Sequence, residues 1–282
     1  MRIMNKIYYL VMSMTVILLA ACSQDEMEQV KEGALPELRV MVNHPSSIST
    51  RASVNGEATT FTEGDKIGIF ATDQNGEPIY INIPYICENV NTVEKPVYKW
   101  VPADEEKKAY YSPNFSYYAY YPYMEHDNDY WYNSLYFNSD DPADFFDSFI
   151  DTWELKLDQS TLENFNASDL MVGKGTDYSE TASVAFTLDH QMGLVRMDYN
   201  DGPNYIENLS DIDSKTYFYD ASKGEENCPI PYNTGRYFYY ITKPGTTFEF
   251  WCWGSTLNYE QFAVDVDARK GYITNYTIYT TY

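Results

Sequence analysis

Along most of this chain apolar and polar positions alternate with a period of two, the pattern of strands buried on one face. In "FSYYAYYPY", Phe115, Tyr117, Ala119, Tyr121 and Tyr123 share one side, while Tyr118 and Tyr120 share the other. The first side reads as core and the second as Tyr-rich surface. Strand-like runs are predicted at 38–43, 66–71, 79–86, 96–101, 115–123, 134–137, 182–188 and 193–199, then at 215–221, 236–242, 247–254, 261–266 and 272–282. Turn formers separate them, the strongest being Asn75-Gly76 in "DQNGEP". Only the acidic segment "DDPADFFDSFIDTWEL" predicts a short helix. Strands at this spacing, without amphipathic helices between them, predict an all-β sandwich class. The turn-rich segment 200–211 is the expected domain boundary, dividing 38–201 from 202–282.

The longest apolar stretch, Ile7 to Ala20, follows Arg2 and Lys6 and precedes small residues and Cys22. These are the three parts of an export signal. At about 14 residues the stretch falls short of the roughly 20 needed to span a bilayer, so 1–21 is expected to be a removed signal. Leu19-Ala20-Ala21-Cys22 resembles the lipobox of bacterial lipoproteins, and that resemblance implies a lipid on Cys22. Acyl chains contribute about 0.8 kcal/mol per buried methylene, so several of them anchor a protein firmly. Residues 22–37, with Asp25, Glu26 and Glu28, read as an acidic tether. Similar acidic runs in lipoproteins of Gram-negative anaerobes mark delivery to the outer membrane and cell surface.

Loss of 1–21 leaves 17 Lys and Arg against 42 Asp and Glu, a net charge of −25. That balance argues against nucleic acid, whose phosphates require Lys and Arg, and against electrostatic docking to anionic lipid. The 29 Tyr, 14 Phe and 5 Trp suit half-buried strands. Besides Cys22 there are Cys87, Cys228 and Cys252, with no CxxC spacing. They read as three thiols, or as one bridge with Cys228–Cys252 the first candidate.

Candidate chemistry is sparse. His44, His126 and His190 form no HExxH and no local pair, and neither a GxSxG elbow nor a phosphate-binding loop occurs. His190, between two apolar runs, reads as a hydrogen-bonded structural residue. Asp127, Asn128 and Asp129 offer oxygens that calcium could use, but the spacing lacks the glycine and distal glutamate of an EF-hand loop. A solvated turn is the simpler reading. Tyr118 and Tyr120 could stack on a glycan. The residues therefore point away from an enzyme and indicate no cofactor and no metal.

The lipobox, "TRA" near residue 50, "FTEGDKIGIFA", the run containing Trp100, "NFSYYAYYPY", "DLMVGKG" and "FTLDHQMGLVRMDY" together resemble the fimbrillin family, subunits of type V pili and related surface lipoproteins. The likeness runs over most of 38–200 and is weaker beyond, resting there on "GYITNYTIY". It implies two consecutive transthyretin-like Greek-key β-sandwich domains, export as an outer-membrane lipoprotein, and adhesion to a host protein or glycan. In polymerising members it implies removal of the amino-terminal strand by an arginine-specific protease, then strand donation between subunits. The matching position here is Arg51, before Ala52, with Arg39 a rival, and the strand lost would be "LRVMVN". A surface glycan- or ligand-binding lipoprotein that does not polymerise is the alternative.

Overall fold

The computed structural model describes residues 35–43, 61–90, 97–125, 135, 137–200, 217–219, 230–234, 237–246, 248–252, 260–264 and 273–279. They are mostly strand, with a few short helices. The alternating runs of the first half become β1 (Arg39–Asn43), β2 (Lys66–Thr72), β3 (Pro78–Asn89), β4 (Tyr98–Pro102) and β5 (Ser116–Tyr121). Beyond an acidic helical segment come β6 (Met171–Tyr178), β7 (Ser183–Thr187) and β8 (Asp189–His190). The hydrogen-bonded order is β5-β2-β3-β4-β1-β7-β6-β8, and β5 also pairs with β6, so the strands from β5 round to β6 close into a ring. All of these neighbours are antiparallel except β1 and β7, which run parallel.

Inward-facing residues fill the ring, among them Ile67, Ile69, Tyr85, Tyr117, Ala119, Tyr121, Val184 and Phe186. The outer faces of β2, β5 and β6 carry a second core of Phe70, Tyr118, Tyr120 and Val172. It is covered by α1 (Pro142–Phe145), α2 (Asp147–Thr152) and α3 (Leu162–Ala167), which contribute Phe145, Phe149 and Phe165. Asp141 caps α1 by accepting from the Ala143 amide at 2.8 Å, and Pro142 occupies the first turn, where it costs no hydrogen bond. Trp153 follows α2 and donates its indole N–H to the Ser168 carbonyl at 3.3 Å.

The second half contributes β9 (Gly193–Asn200), β10 (Tyr217–Tyr219), β11 (Tyr232–Asn233), β12 (Tyr237–Thr242), β13 (Phe248–Cys252), β14 (Glu260–Val264) and β15 (Ile273–Tyr279). They form the sheets β11-β12-β9-β15 and β10-β13-β14. Here the expected division needs correction. The run 193–199 was assigned to the first domain, but β9 pairs antiparallel with β12 and parallel with β15, so hydrogen bonding passes to the second sheet at Gly193. Gln159 ties the helical segment to this sheet. Its side chain donates to the Ile241 carbonyl and accepts from the Ile241 amide, both at 2.8 Å, as a neighbouring strand would.

Two further expectations are corrected. Leu135 and Phe137, from the strand predicted at 134–137, lie in a bend and a turn and pack on the helical cover. β6 was missed because Gly173 and Gly175 blur its alternation. The two glycines are required by close approach: a Cβ at 173 would strike the Thr187 carbonyl, and one at 175 the Val184 side chain.

Candidate functional site

The candidate site is the seat of β1 in the ring. Alternation turns Leu38 and Val40 into the core, at 2% and 7% exposure, with Val42 half buried behind them, while Arg39, Met41 and Asn43 face solvent. On one side β1 pairs with β7 over five positions, from Arg39↔Ser183 to Asn43↔Thr187. On the other side it meets β4 at one position, Val40↔Trp100. The strand therefore hangs on one neighbour and merely touches the other.

Its leading end is tied more closely. The Leu38 amide donates to the Ala109 carbonyl and the Arg39 amide to the Ala182 carbonyl, each at 3.0 Å. Lys108 Nζ donates to Glu37 at 3.0 Å and to Glu105 at 3.3 Å. The hydrogen bond to Glu37, then that to Glu105, holds the Lys108 ammonium above the ordinary lysine range. This cluster is open to solvent, so screening keeps it a weak tie.

Where β1 and β4 diverge lies a cavity of about 370 Å³, lined among other residues by Val40, Val42, Phe61, Cys87, Tyr98 and Trp100. Phe61 meets Trp100 and Tyr121 edge to face, with ring centroids 5.4 and 5.3 Å apart. Cys87 is a fully buried free thiol whose pKa burial pushes up to about 11, helped by the carboxylates of Asp65 and Glu63. It is a core residue, not a nucleophile. Chemically, the seat offers backbone pairing along β7 and an apolar interior to whichever strand lies in it.

Several residues nominated from the sequence lie outside the described residues: Cys22, Arg51, Ala52, His44, His126, Cys228 and the Asp127-Asn128-Asp129 cluster. His190 is described. It is buried with Nδ1 3.0 Å from Asp169 Oδ1, the structural pairing expected of it.

The aromatic platform is contradicted. Tyr118 is 2% exposed and Tyr120 fully buried, so neither face of either ring can meet a sugar. Tyr118 stacks on Phe145 at 4.0 Å and donates its hydroxyl to the Ser139 carbonyl at 2.7 Å. Tyr120 donates to Asn82 Oδ1 at 2.8 Å and packs against Phe149. Alternation correctly separated the two faces of the strand. It carried no information that 142–165 would return to cover the second.

A larger cleft, about 510 Å³, is lined by Asn138, Ser139, Asp144 and Asp147, where Ser139 Oγ donates to Asp144 at 3.4 Å. No group of three or more His, Cys, Asp and Glu among the described residues could hold a metal ion. None of their helices is long and apolar enough to cross a membrane.

Comparison with known proteins connects this geometry to a family. The model of a family described as fimbrillin-like matches residues 50–274. A curated protein of Bacteroides ovatus named "Putative fimbrium tip subunit Fim1C" is 30% identical over 187 residues, covering 62% of this chain and 31% of its own. A crystal structure of a fimbrial protein from Bacteroides ovatus superposes with a TM-score of 0.62 at 20% identity, covering 87% of this chain and 49% of that one. A "putative cell adhesion protein" of Bacteroides uniformis superposes with a TM-score of 0.53 at 18% identity, covering 90% of this chain and 94% of its own. The chain thus spans about a third of the curated relative and about half of the Bacteroides ovatus structure. At these identities the two superpositions establish the shared fold.

Proposed function

Because this chain belongs to the fimbrillin-like family, whose model covers residues 50–274, we propose that it is a fimbrial subunit of the cell surface, built into fibres by exchange of β1 for a strand of another subunit. In this reading residues 1–21 direct export, Cys22 carries the lipid, and the tether to residue 37 holds the protein at the outer membrane. An arginine-specific protease cuts between Arg51 and Ala52, and β1 leaves with the released segment. The ring of β1 to β8 and the strands from β9 to β15 are the two transthyretin-like Greek-key domains of the family, and the second keeps its place while the first exchanges its strand. The protein contributes to adhesion as part of the fibre, with other fimbrial subunits as its partners.

The observation that carries this reading is the seat of β1. A strand held by five pairs on one side and one on the other can leave without dismantling either neighbour. Its departure would uncover the apolar positions now occupied by Leu38 and Val40, and the unpaired edge of β7. An open edge beside an apolar trough is a template for another strand. The test is to treat the exported protein with an arginine-specific protease and follow assembly by native mass spectrometry. Oligomers built from chains beginning at Ala52 and lacking 38–43 are expected; cut protein that keeps 38–43 and stays monomeric refutes the proposal. The alternative of a glycan-binding lipoprotein has lost its stacking residues to the core.

A further inference from the structure

The strand in the seat does not fill it. Val42 lies on the same inward face as Leu38 and Val40, yet it is only half buried. Continuing the register of Val40↔Trp100 would set Val42 opposite Tyr98, but β1 and β4 pair at the first position alone. The cavity of about 370 Å³ opens between them at that point. Met41, Tyr98 and Lys99 complete its lining, so it is a groove open to solvent on that side and apolar within. About 150 Å³ is enough to hold a benzene ring, so the groove has room for an aromatic side chain that valine leaves unused.

The surrounding chemistry defines what would use it. Phe61, Cys87 and Trp100 give apolar walls. Phe61 and Trp100 already meet edge to face, an arrangement that a third ring can extend. Groups lining an unfilled void lose the dispersion contacts a neighbour would supply. The ladder on β7, by contrast, is made by backbone, and any extended chain can reproduce it.

We infer that β1 under-fills its seat, and that the preferred occupant is a strand of another fimbrial subunit with apolar residues at alternate positions and an aromatic residue at the position of Val42. This rests on the strand-exchange reading above. It adds the direction of exchange: replacing an under-filling strand by a filling one runs downhill without any other source of energy. It also sets the specificity, because the Val42 position discriminates between incoming strands while the backbone ladder does not.

The first arm of the test needs no exchange. In the intact chain Val42→Phe is expected to raise the thermal midpoint by about 3–6 °C, the shift that corresponds to roughly tenfold in the folding equilibrium for a chain of this size. Val184→Phe, on the same inward surface at a fully buried position, is expected to lower it. A Val42→Phe variant that is destabilised like Val184→Phe overturns the inference.

In the second arm, labelled peptides of residues 36–44, unsubstituted or carrying Val42→Phe, are added to protein cut with the arginine-specific protease, and binding is read by fluorescence anisotropy. About tenfold tighter binding of the substituted peptide is expected, from the same free-energy difference. Equal or weaker binding overturns the inference. If neither peptide binds, strand exchange itself fails and the assigned partner with it, while the first arm still decides whether the seat is under-filled.

Discussion

Replacing Tyr118 by alanine should loosen the junction between the strand ring and its helical cover, and should not act as the loss of a surface ligand contact. The ring is 2% exposed and lies flat on Phe145 with centroids 4.0 Å apart. Truncating a buried aromatic side chain to alanine costs about 3–5 kcal/mol through lost transfer energy and the cavity left behind. For a chain of this size each kcal/mol shifts the thermal midpoint by about 2–4 °C, so a fall on the order of 10 °C is expected. Tyr118→Phe separates packing from polarity. It keeps the ring and removes only the hydroxyl that donates to the Ser139 carbonyl at 2.7 Å, a loss of about 0.5–1.5 kcal/mol. Both variants are measured by thermal melting and urea titration of the whole chain, with glycan binding followed in parallel. If Tyr118→Ala melts within about 1 °C of the parent, well inside the per-kcal/mol shift, the ring does not form part of the core. If it loses glycan binding as well, the surface reading returns.

Gly68 faces the Tyr120 ring and Asn82 Oδ1, with no space for a Cβ, so Gly68→Ala should destabilise by about 1–3 kcal/mol through overpacking, checked by urea unfolding; an unchanged midpoint contradicts the packing described. Gln159→Ala removes both partners of the Ile241 backbone and leaves buried groups unsatisfied, a loss of about 2 kcal/mol or more. Hydrogen exchange should show the Ile241 amide losing its protection first, and uniform loss across the chain would contradict a local clamp. Stability should also fall at alkaline pH. Burial raises the Cys87 thiol from 9.0 to about 11 and lifts the Tyr85, Tyr117, Tyr121 and Tyr240 phenols above their ordinary 10.0. The unfolded chain therefore releases these protons first, so the contribution is whole below about pH 9 and shrinks as pH rises toward about 11. A urea midpoint that stays flat across that window contradicts this.

Much of the fold was legible because strands declare themselves through alternation. Tyr117, Ala119 and Tyr121 share the face that alternation makes core, and they lie there. What stayed hidden depends on contacts distant in sequence. Tyr120 is fully buried because Phe149, almost thirty residues later, packs on it. The Gln159 clamp joins positions 82 apart. Gly193–Asn200 looks like any other strand of the first half, and only its partners, β12 and β15, place it in the second sheet. The candidate seat was half legible. The strand at 38–43 could be placed from its alternation, but the five-to-one imbalance of its ladders and the cavity beside Val42 arise from strands that meet only in the folded chain.

The central claim is that β1 is a removable occupant of the ring, and the thiol at its margin reports on it. Cys87 lies in the wall of the cavity beside β1 and is fully buried while the strand is in place. The whole protein is treated with an arginine-specific protease, pulsed with iodoacetamide near neutral pH, and mapped by peptide mass spectrometry for both its amino terminus and its label. The account predicts that chains beginning at Ala52 that have lost residues 38–43 and are still monomeric are alkylated at Cys87, with uncut protein unlabelled there. Chains cut at Arg51 that retain 38–43 and leave Cys87 unlabelled, even in the presence of other subunits, would contradict it.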